Sequence, residues 1–161
     1  MIPYCPSRLS AGCALLCALV LHMAAVQGDE MIERFAKLYK PNQCGPIALC
    51  LASRVLGAPL AISEAIRLSG ADDRGVSMAG LVKAARANGL RAEAYRSSLR
   101  HLSNLDTVAI VDYPRGHFSV LIGVQAETVR LWDLPEGEAV VPRREFTDGW
   151  GKNVIVLSVS P

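Results

Sequence analysis

Charge is scarce in this sequence and nowhere concentrated. Only 20% of the residues are charged, and the formal net charge is +2. The 17 Lys and Arg are scattered, without a basic run or interleaved aromatics. Such a near-neutral chain has no electrostatic means of holding nucleic acid, which excludes that class of partner. There is no Gly-x-x-x-x-Gly-Lys phosphate loop, so the chain cannot hydrolyse ATP by itself. No second pair of Cys or His stands at zinc-ligand spacing, and a structural zinc needs four ligands, so neither a metal nor another cofactor is expected. Repeats, low-complexity stretches and linkers are also missing. With 161 residues, 51% of them hydrophobic, the chain has length and apolar content for one domain with a real core.

Part of that apolar content lies outside the core. Arg8 is the only charged residue before Asp29, and Ala11 to Val26 is an uncharged apolar run. Val26 and Gly28 are small residues ahead of the polar Asp29-Glu30. This pattern is that of a secretory signal peptide cut after Gly28, with an uncleaved N-terminal membrane anchor as the alternative. A lipoprotein site at Cys13 or Cys17 fits poorly, because the apolar run continues past both. The division expected is therefore 1–28 as signal peptide or anchor and 29–161 as the working domain. That domain would be exported, periplasmic or extracellular, touching the membrane only through its N-terminal segment.

Of the five cysteines, only Cys44 and Cys50 remain after that segment. Both fall in one apolar helical stretch, six positions apart, where their side chains point to different faces, so no disulfide is expected between them. Two thiols in an oxidising compartment call for a role or for deep burial.

Periodicity predicts helices over 29–39, 44–56, 63–69 and 78–88, separated by Pro41, Gly57, Pro59, Gly70 and Gly89, with Ser77 capping the last. The pattern then changes to β-branched runs over 90–95, 107–112, 117–124, 128–133, 138–141 and 153–159, with short helical turns at 97–104 and 143–149. Helices first and strands second argue for an α+β domain, a helical half packed on a mostly antiparallel sheet.

Three residues in this scheme carry chemistry. Cys44 follows Pro41 and is followed by Gly45-Pro46, which places it at the N-terminus of the second helix. Free N–H groups and the positive dipole end there favour thiolate over thiol. Gly45 removes bulk where a substrate carbonyl would approach. Cys50 reads as a core residue. His117 opens the run HFSVLIGV at a strand mouth, where it could act as general base toward a cysteine. His101 reads as a surface residue, and His22 lies in the N-terminal segment. Asp133 ends the strand TVRLWD. If strands 117–124 and 128–133 form a hairpin, the start of one neighbours the end of the other. An acceptor there can hold the imidazole in its working tautomer. Taken singly, the alternatives are a buried small hydrophobe, an idle strand-end histidine and a turn-capping aspartate.

Five blocks then match in order. QCGPIALCLASRVLG resembles the Cys-Gly-Pro-Ala block of cysteine peptidase family thirty-nine, the bacteriocin-processing or double-glycine peptidases. GVSMAGLVKAARANGLRAEAY is similar to that family's middle helix and strand, and HFSVLIGV to its histidine strand, usually His-Phe-Val-Val. TVRLWDLPEGE resembles its Asp-Pro-x-x-Gly turn, and FTDGWGKNVIVLSV its closing strand. The resemblance implies a papain-like fold and a Cys44–His117–Asp133 triad in a cleft between helical half and sheet. It implies a thiol peptidase acting on a peptide or protein, after small or Gly-Gly sites, with a separate exporter as a candidate partner. Two departures stand out. The family's oxyanion glutamine falls six positions before the cysteine, where this chain has Leu38. Gln43 and Asn42 are the nearby amides that could replace it. Leu134 also shifts the turn proline by one residue. Losing one oxyanion donor typically costs ~100–1000-fold in rate. The alternative reading is accordingly a catalytically weak or inactive papain-like module that binds extended peptides. Acyl transfer by the same pair is a third.

Overall fold

The computed structural model describes residues 32–38, 40–113 and 116–159. The expected 1–28 segment lies outside them, as does His22. Among the described residues no helix is long and apolar enough to cross a membrane.

Helix α1 covers 32–38. A 3-10 turn at Pro41–Gln43 leads into α2 (Cys44–Val55), followed by α3 (Ile62–Ser69) and α4 (Met78–Ala87). Then come β1 (Leu90–Arg96), α5 (Leu99–Leu102), β2 (Ala109–Asp112), β3 (Phe118–Val124), β4 (Thr128–Asp133), β5 (Gly137–Pro142), α6 (Arg143–Gly149) and β6 (Asn153–Val159). The local signals act as expected. Ser77 Oγ accepts from Gly80 N–H at 3.1 Å and starts α4. Gly70, at φ 69°, closes α3 in the left-handed conformation that other residues adopt at a cost. The Asn88 side chain donates to Ala58 O at 2.8 Å, tying the end of α4 to the loop after α2.

The six strands form one sheet in the order β1-β6-β2-β3-β4-β5, every pair antiparallel. Helix α2 packs across it, with Gly45 through Ser53 all buried. Ile47, Leu49 and Leu51 meet Leu81 of α4 and Ile110, Val120, Ile155 and Leu157 of the sheet. Each such side chain taken from water contributes about 1.5–3 kcal/mol, so this helix is the main fastening of the helical half.

The sheet is covered on its other face too. Leu102, Phe146 and Trp150 pack there against Ala109, Val111, Leu121, Leu131 and Val154. Tyr113, Phe146 and Trp150 stack in a row, with ring centroids 5.2 and 5.3 Å apart. Strand β2 is therefore buried on both sides, which is why Ala109-Ile110-Val111 is an unbroken apolar run and not an alternating one. The short helical turns α5 and α6 belong to this second layer, which the division into a helical half and a sheet did not foresee.

Candidate active site

Cys44 is the first residue of α2, and the Gln43 side chain before it does not cap the helix. The first N–H groups of a helix lack internal acceptors and are free to face a negative charge. Pro46, within that first turn, forfeits only an N–H that had no partner there. The Cys44 sulfur is half-buried and hydrogen-bonded by the His117 side chain and by the backbone N–H groups of Phe118 and Gly45.

Gly45 has a different role from the expected one. A Cβ there would lie 2.4 Å from Val76 Cγ1 and 3.0 Å from Phe118 Cδ2, so the missing side chain lets α2 close onto β3. Its absence serves packing that seats Cys44 against the histidine strand, and the space is taken by protein, not by substrate.

His117 sits just ahead of β3, and Tyr113 N–H donates to its carbonyl at 2.6 Å. Its Nε2 is 2.5 Å from Asp133 Oδ1. An ionised carboxylate only accepts, so Nε2 carries the proton and Nδ1 is the ring nitrogen left for Cys44. Strands β3 and β4 do form the expected hairpin, with Val120 opposite Trp132 and Leu121 opposite Leu131. Asp133 is the last ladder residue of β4, paired with Gly137 of β5. Its carboxylate turns away from that turn toward His117 and Ser119, so it is not a turn cap.

The electrostatics follow from these contacts. Burial alone would raise the Cys44 thiol, but the hydrogen bond to His117, the Phe118 and Gly45 N–H groups and the imidazolium charge outweigh it, leaving the thiol below its ordinary 9.0. His117 is raised to about 10, chiefly by its hydrogen bond to Asp133, then by that to Cys44, against the opposing effect of burial. The two titrate as a pair, and between their midpoints a thiolate stands beside an imidazolium. Cys50 differs in every respect: buried at 1% exposure, it is pushed up to about 12 by burial. Both cysteines are free, and Cys50 is core. His101 stays on the surface against Tyr95, 3.2 Å from its hydroxyl.

The Peptidase C39 family model matches residues 34–161. The chain belongs to the Peptidase C39 family. It is a cysteine peptidase, a hydrolase. A protein of Methanothermobacter thermautotrophicus, described as uncharacterized, is 32% identical over 138 residues, covering 86% of this chain and 95% of that one. A second, from Methanothermobacter marburgensis, is 32% identical over 139 residues, again 86% and 95%. Solved structures share the fold. A double glycine motif protease from the AMS/PCAT transporter, in complex with a leader peptide, superposes with a TM-score of 0.71 at 22% identity, over 75% of this chain and 87% of that one. The peptidase domain of Streptococcus ComA, a bi-functional ABC transporter, gives 0.70 at 19% identity, over 76% and 95%.

Around the sulfur of this C39 peptidase the amides divide. Leu38 is on α1 and 53% exposed, with an apolar side chain that cannot donate. Asn42 donates its side-chain amide to Asp72 O at 3.3 Å and so helps hold the loop after α3. Gln43 is half-buried, and its side-chain amide has no hydrogen bond among the described residues. Ser119, beside Asp133, is not marked by the sequence. Its only signal there is a hydroxyl two residues after the histidine, inside an otherwise apolar strand.

Proposed function

We propose that Cys44, His117 and Asp133 form the catalytic triad of this peptidase. The observation that carries the proposal is that one imidazole is hydrogen-bonded both to the Cys44 sulfur and to the Asp133 carboxylate. The Cys44 thiolate attacks the scissile carbonyl carbon. The carbonyl π electrons move to oxygen, and the oxyanion faces the Cys44 N–H at the tip of α2 and the Gln43 side-chain amide. The tetrahedral species collapses, breaking the C–N bond, while the His117 imidazolium gives its proton to the leaving amine. A water then attacks the thioester with neutral His117 taking its proton, which releases the acid and restores the thiolate. Asp133 stays ionised and keeps the ring in place.

Gln43 is the preferred donor because the Asn42 amide is already committed to Asp72. Gln43→Ala is expected to lower kcat about 100-fold or more, the cost of an oxyanion donor, with Asn42→Ala losing much less. Equal rates in the two variants would remove both amides from the site.

The substrate class proposed is a peptide cut after small residues, Gly-Gly among them. The double glycine motif protease and its leader peptide support it, and an exporter partner is proposed on the same ground. Residues 1–28 are proposed to export the domain or to anchor it on the outer side. Incubating the full-length protein with internally quenched peptides is the direct test. Cleavage after the second glycine, blocked by iodoacetamide, is expected. N-terminal sequencing of the same preparation should show a start at Asp29 where the segment is removed. Rapid labelling of Cys44 with no cleavage of any peptide would favour a module that holds extended peptides without cutting them.

A further inference from the structure

Ser119 in β3 has no exposed surface. Its hydroxyl lies 2.9 Å from Asp133 Oδ1 and 3.0 Å from the Tyr113 carbonyl oxygen. A buried serine in a strand needs one acceptor, and a carbonyl would satisfy it. Here the hydroxyl also reaches the very oxygen that accepts from His117 Nε2. The register explains this. Val120 stands opposite Trp132, so the next step of the hairpin sets Ser119 across from Asp133. On the other side Val111 pairs with Ser119, which brings Tyr113 within reach. Tyr113 N–H in its turn donates to the His117 carbonyl.

The geometry points to Ser119 as a positioning residue of the peptidase: its hydroxyl, shared between the Tyr113 carbonyl and Asp133 Oδ1, fixes the carboxylate that orients His117 toward Cys44. A carboxylate turns easily about its last side-chain bond. Held by one imidazole alone it could swing with the ring. A second bond on the same oxygen, from a rigid central strand, removes that freedom. Among the described residues no third group bonds the Asp133 side chain. The titratable groups facing this corner are Cys44 of α2, His117, Asp133 of β4, and Tyr113, which feels burial first and then the charges of Glu145 on α6 and of Asp133. The inference rests on the Cys44–His117–Asp133 reading.

Ser119→Thr and Ser119→Val separate the hydroxyl from the packing, because both add the same methyl volume and only the first keeps an O–H. The readout is the pH midpoint of Cys44 alkylation by iodoacetamide in the full-length protein, with circular dichroism to check folding. A loosened imidazolium stabilises the thiolate less, so the midpoint should rise. S119V is expected to titrate about half a unit above S119T, labelling about threefold more slowly below the midpoint. S119T should stay near the unaltered protein. Should both larger residues unfold, Ser119→Ala needs no space and should match the behaviour expected of S119V. Coincident midpoints for S119T and S119V, or S119A coinciding with the unaltered protein, would overturn the role. Asp133→Ala is the control for the underlying reading. If it leaves the midpoint unmoved, the triad itself fails; if it moves the midpoint while the Ser119 variants do not, only the serine's role falls.

Discussion

Cys44→Ser is expected to abolish peptide turnover, by about 10⁴-fold or more, with folding intact. The sulfur loses its proton below 9.0 because three hydrogen-bonding groups and an adjacent imidazolium favour the anion. A serine hydroxyl starts far higher, and the same contacts cannot bring it to the anion at neutral pH. The oxygen is also smaller than sulfur, so it sits back from the His117 ring and from any carbonyl that the sulfur would reach. Cys44 is half-buried at the tip of α2 and packs against the edge of the core, and the nearly isosteric serine keeps that packing. The denaturation midpoint should therefore be unchanged while kcat against a cleaved peptide vanishes. Full activity in the serine variant would refute the assignment of Cys44.

His117→Ala should be the second large effect, and it reads out without a substrate. Burial pushes the Cys44 thiol up, and the strongest influence pulling it down is the hydrogen bond to His117. Without the imidazole, burial is opposed only by the Phe118 and Gly45 N–H groups, and the thiol should return to its ordinary 9.0 or above. Iodoacetamide labelling near pH 7 should then fall, because less of the thiol is thiolate at that pH. The pH profile of the unaltered enzyme should have two limbs. Turnover is expected to rise as Cys44 loses its proton, below pH 9.0, and to fall as His117 loses its own near about 10. Between the limbs the thiolate–imidazolium pair is the dominant form. In His117→Ala the upper limb should disappear, since no imidazolium remains to be lost, and a single rise toward thiolate should be left. A Cys44 that still labelled rapidly at pH 7 would mean that the helix tip alone activates it.

Much of this was legible in the residues. Gly57, Gly70 and Gly89 follow the helix ends as expected, because a left-handed glycine acts through its own backbone. The strands were found by their β-branched runs, and their ends moved by a residue or two: β2 begins at Ala109 and not at Thr107, and the helical turn after β1 shrinks to Leu99–Leu102. Cys44 and His117 were candidates because each stands at an element boundary beside a glycine. Asp133 was a candidate because a short hairpin connection makes neighbours of one strand's start and the next one's end, and only the resemblance of five blocks in order set the three above their alternatives.

Other features were not legible. Gly45 looked like space for a substrate, yet only the close approach of Val76 and Phe118, distant in sequence, shows what fills it. Asn42 and Gln43 are equivalent as adjacent amides in the chain. The loop carrying Asp72 separates them by occupying the first. Ser119 has no pattern that distinguishes it from any polar residue in a strand.

The sequence by itself determined the elements, their order, the helix-tip cysteine and the strand-mouth histidine. These depend on local backbone preferences and on periodicity, which neighbours along the chain encode. The tertiary structure alone decided that the sheet is covered on both faces, which amide is committed elsewhere, and that one carboxylate oxygen serves both an imidazole and a buried hydroxyl. Those facts depend on distances between segments that meet only when β3 lies between β2 and β4 with α2 across it, and no local rule fixes such distances to the fraction of an ångström on which a hydrogen bond depends.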